Sequence, residues 1–142
     1  MPLLNIIDET ARRLREAGSK RPLLLATRYT MEDGFYTARM REDGLEAVLP
    51  DETGRAATHR IIFDELCAGN VRADSRRELC ALIDQARAEG ADAVIFGCTE
   101  LGMILDAGGS SLPVFDSTTI HCEAAVTFAL QDAASRPAVT QA

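Results

Sequence analysis

Two short apolar runs, Pro22-Leu23-Leu24-Leu25-Ala26 and Ala91 to Phe96, constrain this chain most. A strand with water on one face alternates apolar and polar residues. An almost wholly apolar run suits a strand buried on both faces, as in parallel sheets covered by helices. Helix-period segments lie around these runs. Ile7, Ala11 and Leu14 share a face over Asp8 to Ala17, which Gly18 stops. A loop at Thr27 to Thr30 opens a helix through Phe35 and Met40 to Asp43-Gly44. Ile61, Ile62 and Leu66 mark a helix closed by Gly69-Asn70. Asp74 or Ser75 caps the next, whose Leu79, Leu82, Ile83 and Ala86 form an apolar face. Leu45 to Leu49 reads as a strand ended by Pro50, Thr99 to Leu105 as a short helix, and Leu112 to Phe115 as a last strand. Ser117 caps a final helix reaching about Ala134, and residues 135–142 read as a disordered tail. The expectation is an α/β fold: a four-stranded parallel sheet flanked by helices.

A length of 142 residues suits one domain with a full core. The net charge of −7 argues against a nucleic-acid or anionic-membrane partner, because phosphate selects basic surfaces. No basic leader and no membrane-length apolar stretch is present, so a cytoplasmic location is expected. Cys67, Cys80, Cys98 and Cys122 form no CxxC, which fits neither a zinc site nor a disulfide framework; four free thiols in a reducing compartment are expected. Lys20 is the sole lysine and sits in a turn, Gly18 to Pro22. Pyridoxal-phosphate chemistry needs a Schiff-base lysine, so no such cofactor is expected.

Ligands of open parallel sheets bind beyond the carboxyl ends of strands. Two such ends carry polar loops, Thr27 to Thr30 and Gly97-Cys98-Thr99-Glu100. Cys98 there would sit at a helix start, where free amides and the dipole favour a thiolate and can hold a carboxylate. A thiolate beside a carboxylate site suits abstraction of an acid's α-proton. Thr99 could donate a hydroxyl; Glu100 could orient a substrate ammonium or cap the helix. The competing reading of Cys98 is a small core residue. Core packing is the reading for Cys67, Cys80 and Cys122, and surface exposure for His59. His121 is either structural or within reach of the site. In the last helix Ile120, Ala124 and Phe128 line one side, and Val126, Ala129 and Leu130 another, so it should pack against two things.

The segment Val94-Ile95-Phe96-Gly97-Cys98-Thr99-Glu100-Leu101-Gly102-Met103-Ile104 resembles the second-cysteine signature of the aspartate/glutamate racemase superfamily. Ile7 to Ala11, Ala26 to Met31, Phe35-Tyr36, Ile61 to Gly69 and Pro113 to His121 match in the family's order, and the nearest likeness is to its broad-specificity amino-acid racemases. The resemblance implies one half of a pseudo-symmetric two-domain fold. Residues 1–116 would be its C-terminal α/β domain, and 117–134 a helix packing on a second domain. It also implies cofactor-independent, two-thiol racemisation of an amino acid. Cys98 would be one acid/base, and Thr27, Thr30 and Thr99 would hold the substrate carboxylate. The family's first cysteine lies in a Cys-Asn-Thr-like segment of an N-terminal half, and this chain starts where that half has ended. The second thiol would come from a separate half-chain or from Cys98 of a homodimer partner. The alternatives are one-thiol chemistry, such as decarboxylation or proton exchange, and an inactive carboxylate-binding remnant. Asn70 stands where aspartate-specific members carry a basic residue.

Overall fold

The computed structural model describes residues 3–135. Helix α1 (Ile6–Glu16) starts at Asn5, whose side chain accepts the Ile7 amide at 2.9 Å. Strand β1 (Pro22–Leu25) follows. The single helix expected next is two, α2 (Arg28–Glu32) and α3 (Phe35–Glu42), because Gly34 turns between them at a φ of 90°. Asp51 caps α4 (Glu52–Arg60), which runs on into a π-helical turn at Ile61–Glu65 and a 3-10 turn at Leu66–Ala68. Helix α5 (Ala73–Ala88), strands β2 (Ala93–Phe96) and β3 (Val114–Asp116), and helix α6 (Ser117–Ser135) complete the fold. Of the tail expected at 135–142, Ser135 is instead the last residue of α6, and 136–142 lie outside the described residues.

Two expected caps are displaced. Arg72, not Asp74 or Ser75, precedes α5. Ser75 is buried, and its hydroxyl donates to the carboxylate of Glu65, so it is committed elsewhere. Asp116 caps α6 by accepting the Thr118 amide at 3.0 Å. The Ser117 hydroxyl instead donates to the Phe96 carbonyl at 2.7 Å, pinning the helix start to the end of β2.

The sheet is parallel, in the order β1-β2-β3, with Leu23 opposite Val94 and Ile95 opposite Phe115. It has three strands where four were expected. Residues 45–49 do run beside β1: Glu46 N–H reaches the Lys20 carbonyl, Val48 N–H the Pro22 carbonyl, and Leu24 N–H the Val48 carbonyl. Only one bridge forms, Leu23 with Val48. The rungs on either side would need the N–H of Pro22 and of Pro50, and proline has none.

Both long strands are buried along their whole length. Leu23, Leu25, Val94 and Phe96 face one core with Ile61, Ile62 and the α5 residues Leu79 and Ile83. Leu24, Ala93 and Ile95 face another with Ile7, Ala11 and Leu14 of α1 and Met40 of α3. The sheet is thus the middle of three layers, as its unbroken apolar runs require. Helix α6 packs on α1 through Ile120, but Val126 and Leu130 are 58% and 66% exposed. No helix among the described residues is long and apolar enough to cross a membrane.

Candidate active site at the ends of β1 and β2

The segment that follows β1 in the chain lies on its outer side, and β3 lies on the outer side of β2. The strand order therefore switches direction between β1 and β2, and the carboxyl ends at such a switch are the usual ligand position in open α/β sheets. Gly97 makes the close approach of these two ends possible. Its amide donates to the Leu25 carbonyl at 2.9 Å. A Cβ there would stand 3.0 Å from Leu24 Cδ1 and 3.1 Å from Ala26 Cβ.

Cys98 is half-buried against the α5-side core. The expected helix after it is absent: Thr99 and Glu100 form a turn, and only a 3-10 turn at Leu101–Met103 follows. Leu101, Ile104 and Leu105 are all buried at helical spacing, and this tight turn already delivers them to the core. Without a helix there is no aligned stack of peptide dipoles to favour a thiolate. Burial, and then the carboxylate of Glu100, push the Cys98 thiol up to about 12, against one opposing bond from the Glu100 amide. The resting group is a thiol, not the thiolate expected from the sequence. It donates to Glu100 Oε2 at 2.7 Å. Glu100 in turn lies below the usual carboxylate range, held there by the Cys98 thiol and the Thr99 hydroxyl.

Thr27 caps α2, and its hydroxyl oxygen lies 3.2 Å from that of Thr30. The structure thus gathers the candidates into two groups on adjacent strand ends: Cys98, Thr99 and Glu100, and Thr27 with Thr30. His59 is not part of either; its Nδ1 accepts the Arg28 amide at 3.0 Å. His121 is half-buried, and its Nδ1 is buried without a hydrogen-bond partner. Two cysteine expectations change, those for Cys67 and Cys122, while Cys80 does pack against the α5-side core. Cys67 and Cys122 are exposed, and Cys80 is partly buried with its thiol on the Gly109 carbonyl. Cys67 also lies near enough to Cys98 to raise its pKa further. Its local sequence pattern, a residue between Leu66 and Gly69, carries no signal of that. A concavity of about 840 Å³ between α1 and α6 is not lined by the Cys98 loop.

A parallel sheet covered by helices on both faces, with a thiol–carboxylate pair and two neighbouring hydroxyls at its strand ends, defines an open α/β domain. The chain belongs to the Asp/Glu/hydantoin racemase family, whose model matches residues 1–125. It is 24% identical over 130 residues to the broad specificity amino-acid racemase RacX of Bacillus subtilis (strain 168), covering 89% of this chain and 54% of RacX. A Yersinia pestis structure, provisionally described as an Asp/Glu racemase, superposes with a TM-score of 0.87 at 44% identity. PH1733 of Pyrococcus horikoshii OT3, an aspartate racemase homologue, gives 0.86 at 37%. Each alignment covers 92% of this chain and 57% of the other. The chain therefore spans little more than half the length of these relatives.

Proposed function

We propose that this chain is the Cys98-bearing half of a cofactor-independent amino-acid racemase. Cys98 serves one face of the substrate α-carbon, and a second thiol, from outside residues 1–142 or from a second copy, serves the other. In its thiolate form one sulfur takes the α-proton and leaves a carbanion; the opposing thiol then gives its proton to the other face. The two exchange protonation states, and no electron is gained or lost. Thr27, Thr30 and Thr99 supply hydroxyls for the carboxylate. The observation that carries this reading is the Cys98–Glu100 pair at the switch between β1 and β2, in a chain of this family. A reducing cytoplasm would keep the thiol available. Lys20, the sole lysine, precedes β1 and so lies at the opposite end of the sheet, about 13 Å of strand away. This geometry supports chemistry without a Schiff base. Asn70 is exposed and uncharged, which gives no reason to favour aspartate.

The test is α-deuterium exchange in D₂O, followed by NMR over a panel of L- and D-amino acids. Exchange that disappears in Cys98→Ala is the expected result, and inversion alongside it requires the second acid. Absence of exchange would overturn activity of this chain by itself. The protonated resting thiol favours one rival, carboxylate binding without turnover, which the same spectra would show as line broadening without exchange.

A further inference from the structure

Many acidic side chains of this protein are matched with arginine: Asp8 with Arg39, Glu32 with Arg55, Glu65 with Arg60, Glu123 with Arg13. Glu100 is among those that are not. It is partly buried, and among the described residues no Arg or Lys lies within ion-pair distance of it; a thiol and a hydroxyl are the side chains that bond it. Two hydrogen bonds hold its negative charge, and an ammonium ligand would supply the opposite charge that no side chain provides.

We propose that Glu100 is a latch on Cys98, holding the thiol proton while the site is empty and releasing it when a ligand's ammonium group takes over the carboxylate. The amine in this inference rests on the racemase reading; the latch itself rests on the 2.7 Å contact. In the latched state the S–H bond points at Glu100 and away from any substrate carbon. Pairing of Glu100 with an ammonium removes the acceptor and offsets the negative charge beside sulfur. The thiol then loses its proton to water or buffer more readily, and the thiolate is available to an α-proton. The same step selects ligands. A 2-hydroxy acid offers the carboxylate contacts but no positive charge, so it binds without unlatching. The groups that act on the Cys98 charge are the Glu100 carboxylate from its own loop and Cys67 from the turn after the π-helix, which oppose ionisation as burial does, and the Glu100 amide, which favours it.

The experiment follows the ¹³Cβ shift of Cys98 between pH 6 and 10 in the full chain, in Glu100→Gln and in Glu100→Asp. Wild type should hold the thiol value across the range. Glu100→Gln should begin to titrate about one pH unit or more lower, and Glu100→Asp, which keeps the charge, should stay nearer wild type. Ligand pairs that differ only in amine against hydroxyl, alanine with lactate and aspartate with malate, test the trigger. At pH 9.5 an amino acid should move the wild-type signal toward thiolate, and its hydroxy analogue should not. The Cys80 signal serves as the control for folding. Identical titrations of wild type and Glu100→Gln would overturn the latch, and equal effects of amine and hydroxyl ligands would overturn the trigger. A shifted Glu100→Gln with no α-deuterium exchange for any amino acid would leave the latch standing and overturn racemase activity of this chain by itself. Exchange with unshifted titration would do the reverse.

Discussion

At Gly97 a single hydrogen atom stands where two loops meet. Leu24 Cδ1 can swing aside, but Ala26 Cβ is fixed to its backbone, so an added methyl has to part the strand ends. Gly97→Ala should cost about 1–3 kcal/mol in urea denaturation, the range for overpacked sites, with an unchanged m-value. The next residue sets a pH dependence. Because the folded pKa of Cys98 is raised, the neutral thiol adds stability that is complete below the ordinary value of 9.0. That stability drains away as pH rises toward about 12. The stability of wild type relative to Cys98→Ala should therefore fall on titrating upward from pH 9. Tyr36, whose phenol burial also pushes to about 12, contributes equally to both proteins and cancels in the difference.

At the level of elements, Asp92 clasps two strand entries together. It accepts the Ser19 hydroxyl at 2.5 Å and the Lys20 and Arg21 amides at 2.7 and 3.0 Å. Partial burial raises its pKa, but these three bonds outweigh burial and leave it lowered. Its stabilisation is present above the ordinary value of 3.8 and is lost as pH falls through the folded one. Asp92→Asn should lose about 1 kcal/mol at pH 7, trimmed by solvent on its open side, and the difference should close below pH 4. Such a clasp is not readable from spacing, since its partners are over 70 residues apart. The buried strands were readable, because an unbroken apolar run leaves few other solutions. Residues 45–49 misled because their pattern is that of a strand: Leu45, Ala47 and Leu49 pack in one core and Val48 in the other. Pro22 and Pro50 were visible in the sequence, but the register that makes each one cancel a rung was not. The site divided in the same way. Cys98 and Glu100 are neighbours by chain, so their pairing was within reach of inspection. The missing helix depended on how tightly Leu101, Ile104 and Leu105 reach the core, and the raised thiol on how deeply the fold buries Cys98 beside Glu100.

At the scale of the molecule, the outer side of α6 lacks cover among the described residues: Val126 and Leu130 stand in water, and Glu123 pairs back to Arg13. If a second copy supplies the opposing thiol, sedimentation at micromolar concentration should show a dimer, and Leu130→Glu should dissociate it. A strict monomer would exclude that arrangement and leave a separate half-chain as the source. How the molecule can meet a partner is also limited by its sheet. One margin is the three-residue β3, entered through Pro113, and the other is a lone bridge at Val48 two residues before Pro50. Neither margin offers a row of free amides and carbonyls long enough for another chain to join as a strand. Among the described residues, then, the sheet gives little purchase for growth into fibrils, and side chains on helices and loops are the surfaces open to a partner.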